Sequence, residues 1–403
     1  MATLNEIIRS RQLSTQFQPI VELDGKTVVA HEALTRGPAG STWETPDSLF
    51  AAAREQGLLT ELDRACRETA LEAAHEVGLS APGSLFINSE PESLAMFAET
   101  VSRGSTPMVV EITERALTGD PAALLRAVQS IRESGWLVAL DDVGADPASL
   151  AMLPLVAPDI IKLDMQLVRT LPNQHSARIM SAVTAHAEAT GAAILAEGIE
   201  TERQLVTAEA MGATFGQGWL FGRPQTLTEP VSDALGLAVR LKPTDHFQGN
   251  ATPFDLAARH GASRRSHRRL LLEITRFLEE KASASGDAAI LLSTFQHADN
   301  VGAGTLARYD KLVDRLGLVG VLAEDLGPGL FRDGVHVAGL AAGDPLVEEW
   351  DVVVLTPDFA AMLVAASRLG DHDAGEFDFI LTHDRQLVID AALSLITRLG
   401  PVA

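Results

Sequence analysis

Leu137-Val-Ala-Leu-Asp-Asp142 runs four apolar residues straight into two adjacent carboxylates. A short apolar run of this kind suits a strand buried on both faces, with chemistry at its end. The same plan recurs on both sides. Ser84-Leu-Phe-Ile-Asn88 and Val109-Val-Glu-Ile-Thr-Glu114 precede it; Ile160-Ile-Lys-Leu-Asp164, Ile194-Leu-Ala-Glu-Gly-Ile-Glu200 and Phe215-Gly-Gln-Gly-Trp-Leu220 come after it. With Asn88, Glu111, Asp141, Lys162, Glu197 and Gln217 as markers, the gaps are 23, 30, 21, 35 and 20 residues, and each fits one strand plus one helix. The intervening segments carry helix punctuation: Asp120-Pro121 reads as an N-cap with proline in the first turn, Leu124, Val128 and Ile131 share a face, and Gly135 ends the run. Residues 176–190 behave similarly and stop at Gly191. Alternating strands and helices predict a parallel sheet. Polar side chains at every strand end favour a (β/α) barrel with its site at the carboxyl-terminal face. An open doubly wound sheet would gather them at one switch point.

Working outward, residues 17–21 and 27–34 read as a hairpin around Asp24-Gly25, and residues 46–78 as helical with a break near Gly57. Beyond the barrel, the stretch LKPTDHFQGNATP at 241–253 reads as a linker. The predicted division is therefore a barrel over 1–240, the linker, and a smaller α/β or α+β module over 254–403. In that module a helix is predicted over 254–278, and strands at 288–295, 319–324, 334–340, 352–356 and 377–382. Two more helices are predicted at 305–316 and 386–399. The first predicted helix carries the basic cluster Arg264, Arg265, His267, Arg268 and Arg269.

Composition sets bounds on function. Apolar residues make up 46% of the 403 and charged residues 21%, ordinary for a globular chain and unlike a disordered one. The net charge of −22 opposes non-specific binding to nucleic acid or anionic membrane, so no DNA binding is expected. A small anionic ligand stays compatible if bound cations or local basic residues reverse the field. Cys66 is the one cysteine, which excludes an intramolecular disulfide. No secretory pattern opens the chain and no uncharged apolar run reaches membrane-spanning length, so no membrane insertion and a cytoplasmic location are expected.

In a barrel, Glu32, Asn88, Glu111, Asp141, Asp142, Lys162, Glu197 and Gln217 would converge on one mouth. Carboxylates with an amide are hard oxygen donors suited to Mg²⁺ or Mn²⁺. The adjacent Asp141 and Asp142 suit a two-metal site for in-line attack on a phosphodiester. A lysine among them can orient a water, and a further glutamate can take its proton.

These residues also carry a family resemblance. His31-Glu-Ala-Leu-Thr-Arg36 contains a Glu-Ala-Leu signature, preceded by Phe17-Gln-Pro-Ile20. Asn88, Glu111-Ile-Thr-Glu114, Asp141-Asp-Val-Gly144, Lys162-Leu-Asp164, Ala196-Glu-Gly-Ile-Glu200 and Gly216-Gln-Gly-Trp-Leu-Phe-Gly-Arg-Pro224 succeed it in order. The chain thus resembles the EAL-domain cyclic di-GMP phosphodiesterases over about 220 residues. The resemblance implies a modified TIM barrel that hydrolyses cyclic di-GMP to linear pGpG, with two Mg²⁺ or Mn²⁺ per site, working as a homodimer. It implies Glu32, Asn88, Glu111, Asp141 and Asp142 as metal ligands, and Lys162 and Glu197 as the residues that position and deprotonate water. Gln18, Arg36, Asp164 and Gln217 would contact or support substrate, and Glu114 and Glu200 would be supporting residues. One loop departs from the family's Asp-Asp-Phe-Gly-Thr/Ser-Gly-Tyr-Ser-Ser: here it reads Asp141-Asp-Val-Gly-Ala-Asp-Pro-Ala-Ser-Leu150. A cyclic di-GMP receptor without turnover, signalling through the second domain, is the alternative class. From 254 onward the chain resembles the DICT sensory domain, which implies regulation of the barrel by an input the sequence does not name.

Overall fold

The structure is a computed structural model that describes residues 3–79, 85–90, 92–94, 108–113, 119–229, 251–327, 329–367 and 376–399. Glu114 and positions 241–250 of the expected linker lie outside the described residues.

The first sheet closes on itself. Strands β1 (Ser14–Glu22), β2 (Thr27–Arg36), β3 (Leu85–Asn88), β4 (Val109–Ile112), β5 (Leu137–Val143), β6 (Ile160–Leu163), β7 (Ala193–Ala196) and β8 (Phe215–Gln217) succeed one another around a closed barrel. From β2 to β8 all neighbours are parallel, while β1 runs antiparallel to both β2 and β8. The expected hairpin is this β1–β2 pair. Asp120 caps the helix Pro121–Glu133 by accepting the Ala123 N–H at 2.8 Å, and the helix Gln174–Thr190 ends on Gly191 at φ 85°. The predicted break near Gly57 separates helices Pro46–Glu55 and Leu59–Glu76.

One layer of side chains plugs the barrel interior: Ile20, Ala30, Phe86, Val109, Ala139, Ile160, Leu195 and Phe215, all buried and packed as one cluster. Side chains on a strand alternate between faces, so the residue two places further along faces the same way. Two places beyond those residues, on β2 to β8, stand Glu32, Asn88, Glu111, Asp141, Lys162, Glu197 and Gln217. On the antiparallel β1 the step runs backwards, from Ile20 to Gln18. Pleat geometry alone therefore sets a polar layer directly above an apolar one.

The second sheet is open and seven-stranded, in the order β12-β11-β10-β13-β14-β15-β9. Its strands are β9 (Arg264–His267), β10 (Ile290–His297), β11 (Leu318–Glu324), β12 (Val335–Leu340), β13 (Glu349–Leu355), β14 (Ala360–Ser367) and β15 (Glu376–Thr382). It corrects the expected pattern in two places. The predicted helix over 254–278 is a short helix Pro253–Ala258, then strand β9, then a helix Arg268–Ser285. Arg264–His267 is an edge strand paired only with β15, so it lacks the apolar side chains that mark an interior strand. Strand β14, Ala360-Ala-Met-Leu-Val-Ala-Ala-Ser367, is absent from the expected pattern. It is an interior strand whose first six residues are buried, so its sequence shows no alternation.

Candidate active site at the barrel mouth

The polar layer is held together around one ammonium. Lys162, 1% exposed, places Nζ 2.6 Å from Glu111 Oε1, 2.7 Å from Glu197 Oε1, 2.8 Å from Asp141 Oδ1 and 3.9 Å from Glu32 Oε1. Glu32 is fixed from both sides by amides: Asn88 Nδ2 donates to Oε1 at 2.9 Å and Gln217 Nε2 to Oε2 at 2.7 Å. These contacts arise from the register, in which Glu32 lies beside Phe86 of β3 and Gln18 of β1, and Asn88 beside Glu111 of β4.

Protonation is set by this packing. Burial drives the Glu32 carboxyl up, but Lys162 and the two amides outweigh it and hold Glu32 below the usual carboxylate range. Glu111 goes the other way: burial, then the charges of Glu32 and Asp141, push it well above that range despite Lys162. Burial raises Glu197 to about 8, with Lys162 opposing and Asp141 and Glu32 adding to the rise. Burial would discharge Lys162, yet Asp141, Glu111, Glu197 and Glu32 together hold it well above its ordinary value.

Asp142 joins this layer by a different route. Adjacent residues of a regular strand point to opposite faces. Here the pairing of β5 with β6 shifts register between Leu140 and Val143, and Asp142 takes a left-handed backbone at φ 52°. Asp and Asn tolerate that conformation better than most residues, though at a cost. The result is that carboxylate oxygens of Asp141, Asp142 and Glu197 lie within 4.8 Å of one another.

A cation fits this donor set. The Glu111 carboxyl oxygens and Asp141 Oδ1 are buried and meet no donor among the described residues other than the Lys162 ammonium. One ammonium faces at least four carboxyl groups, a surplus of hard oxygen donors with the character that Mg²⁺, Mn²⁺ or Ca²⁺ sites require.

Above the layer opens a cleft of about 740 Å³, lined by Gln18, Glu32, Asn88, Asp141, Asp142, Lys162, Glu197, Glu200 and Gln217 among others. That size suits a small ligand of several rings. Not every expected residue joins it. Arg36, at the end of β2, donates from Nη1 to its neighbour's carbonyl, Thr35 O, at 2.9 Å. Asp164 is buried and caps the helix Met165–Arg169 by accepting the Gln166 N–H at 2.9 Å. Neither lines the cleft. Glu200 is tied to Arg169 at 2.5 Å. Sequence reasoning also missed lining residues: Arg54, Asp63 and Arg67 from the two helices after β2, Glu90 after β3, and Trp219, whose ring lies under the Arg223 guanidinium at 4.3 Å. The signal available for Asp63 and Arg67 was their i, i+4 spacing on a helix.

Comparison with known families decides the classification of this barrel. Residues 1–224, more than half of the chain, match the model described as "EAL domain". The chain belongs to the EAL domain family. Residues 255–368 match the DICT model, described as "Sensory domain in DIguanylate Cyclases and Two-component system". Among curated relatives, the EAL region is 29% identical over 238 residues to "Probable cyclic di-GMP phosphodiesterase PdeB" of Escherichia coli, covering 55% of this chain and 44% of that protein. It is 30% identical over 228 residues to "Cyclic di-GMP phosphodiesterase RocR" of Pseudomonas aeruginosa, covering 53% and 57%. The chain thus spans about half the length of these relatives. Among solved structures, the Klebsiella pneumoniae BlrP1 manganese/cy-diGMP complex is 28% identical, covers 53% of this chain and 56% of its own, and has a TM-score of 0.46.

Proposed function

We propose that this EAL domain hydrolyses cyclic di-GMP to linear pGpG with the help of Mg²⁺ or Mn²⁺, two per site. The observation that carries the reading is the single ammonium of Lys162 enclosed by Glu32, Glu111, Asp141 and Glu197 on a family-matched barrel. Glu32, Asn88, Glu111 and Asp141 would hold one cation, and Asp141 and Asp142 the second. The cations supply positive charge that draws in an anionic diester and stabilises the charge developing on its phosphate.

The remaining work falls to side chains. Lys162, whose three N–H donors are taken up by Glu111, Glu197 and Asp141, would orient the attacking water by giving up one of these contacts to it. Glu197, 2.7 Å from the Lys162 ammonium, would receive the water's proton. Gln217 keeps Glu32 in its rotamer through a 2.7 Å hydrogen bond. Gln18 offers a polar edge in the cleft. The local contacts of Arg36 and Asp164 use one N–H of the guanidinium and one oxygen of the carboxylate, so both could also serve substrate.

In this reading the region from 254 onward sets the rate of the barrel, the division falls at the 241–253 linker, and the protein works as a homodimer in the cytoplasm. No helix among the described residues is long and apolar enough to cross a membrane.

The test is incubation of the purified protein with cyclic di-GMP and Mg²⁺ or Mn²⁺, then chromatography for pGpG, with Glu32→Ala as control. Release of pGpG by the wild type alone supports the reading. Tight binding without linear product under either metal overturns it in favour of a receptor. A truncation ending near residue 250 whose rate and sedimentation match the full chain would overturn the regulatory and dimer parts.

A further inference from the structure

We propose that Asp63 is a positioning residue for the cation face: from the helix Leu59–Glu76 it anchors the turn after Asn88 and so holds the Asn88 amide against Glu32. This role rests on the reading of Asn88 as a cation ligand.

Asn88 is the last residue of β3 and is open to the cleft, so no packing fixes its side chain. Its backbone is fixed by the next two residues. The Ser89 N–H donates to Glu111 O at 3.2 Å, which ties the strand end to β4. The Glu90 N–H donates to Asp63 Oδ1 at 3.2 Å, which ties it to a helix 27 residues earlier in the chain. Two successive amides are thus held by two different elements, and together they set the direction of the Asn88 side chain.

Asp63 does this from an unfavourable place. It is 2% exposed, and its other oxygen accepts from Arg67 Nη1 at 3.2 Å, with Arg67 only 3% exposed. Burial pushes the Asp63 carboxyl up to about 6, Arg67 opposing. An apolar pair of similar volume would pack here without that desolvation cost, so stability alone does not account for two buried charges. What an apolar residue cannot do is accept the Glu90 N–H. Outer residues that orient metal ligands commonly change metal affinity by about 10–100-fold when lost.

The test measures Mn²⁺ binding to the full chain by electron paramagnetic resonance, without substrate, alongside thermal melting. Asp63→Leu/Arg67→Met removes the pair and the acceptor together; it is expected to fold with a modestly lowered melting temperature, because the Glu90 N–H loses its acceptor, and to bind Mn²⁺ about 10–100-fold more weakly. Asp63→Asn/Arg67→Met keeps an oxygen for the Glu90 N–H and is expected to bind within about threefold of the wild type. Glu90→Ala keeps the N–H, gives up the 3.1 Å ion pair with Arg54, and is expected to bind as the wild type does. Wild-type affinity in a folded Asp63→Leu/Arg67→Met variant overturns the proposal. If that variant fails to fold, Glu90→Pro deletes the N–H while leaving Asp63 and Arg67 in place, and wild-type affinity there overturns it equally. Asn88→Ala that binds Mn²⁺ as tightly as the wild type would instead remove the cation-ligand reading itself.

Discussion

Asp141 and Asp142 are consecutive on one strand, yet both carboxylates face Glu197, because Asp142 sits at φ 52° where β5 shifts register against β6. The strained residue is thus the one that brings a second carboxylate to the site. Asp142→Gly should relieve the strain, leaving stability unchanged or raised by up to about 1 kcal/mol, while pGpG formation falls by at least about a hundredfold. Melting and product chromatography on one preparation check this. A clear loss of melting temperature would show that the left-handed turn costs little.

Among the described residues, Lys162 supplies the one ammonium inside the carboxylate layer. Lys162→Met should destabilise the metal-free protein by about 3–5 kcal/mol, because breaking a buried ion pair leaves uncompensated charge. Added Mn²⁺ should recover part of that loss, since a ligand that binds only the folded state stabilises it. Melting curves with and without Mn²⁺ read both effects. Equal Mn²⁺ shifts in variant and wild type would contradict this arrangement of charges.

A second buried acidic pair lies in the other sheet, where Glu349 and Asp351 share one face of β13. Glu349 accepts the Phe254 N–H at 3.1 Å, and Asp351 is hydrogen-bonded to Thr294. Burial raises Glu349 to about 7, and burial and then Glu349 raise Asp351 well above its usual range. Acids whose folded pKa is raised stabilise the fold fully below their unfolded pKa, and that contribution is lost as pH rises through the folded value. Stability should therefore fall between about pH 4.5 and about pH 7, by roughly 3 kcal/mol for Glu349 alone. Glu349→Gln keeps an acceptor for Phe254 and should flatten this slope. Chemical denaturation at pH 5 and pH 8 measures it, and an identical slope in the variant would refute the assignment.

Gly218 closes the barrel at β8. Its φ is 156°, and a Cβ there would lie 2.1 Å from Ile199 O, a backbone atom that cannot step aside alone. Gly218→Ala should cost more than about 3 kcal/mol or prevent folding, whereas Gly261→Ala, where a Cβ would meet nothing within 4 Å, should change stability by less than about 1 kcal/mol. Comparable melting temperatures for the two variants would contradict this closure.

The barrel and most of its polar layer were legible because apolar runs and strand-end side chains share one period. Phe86 and Asn88, or Ile160 and Lys162, are two residues apart and so face the same way. What the pattern could not show was contact between elements distant in sequence. The i, i+4 spacing of Asp63 and Arg67 marks an ion pair on a helix, but not its reach to Glu90, which only the fold supplies. Asp164, expected from its sequence to meet substrate, caps the helix Met165–Arg169, a use the strand pattern does not show. In the second sheet, β14 was hidden because an interior strand buried on both faces loses alternation, and β9 because an edge strand of arginines loses hydrophobicity.

The enclosed Lys162 has a consequence for how the protein matures. Its ammonium acts as an internal placeholder, so the barrel reaches its final form with the carboxylates already neutralised in part. On the proposed reading, acquiring metal is then an event of the finished molecule and not a condition for its assembly. A cell starved of divalent ions would accumulate normal amounts of intact, idle protein, ready to switch on when supply returns, with no new synthesis needed.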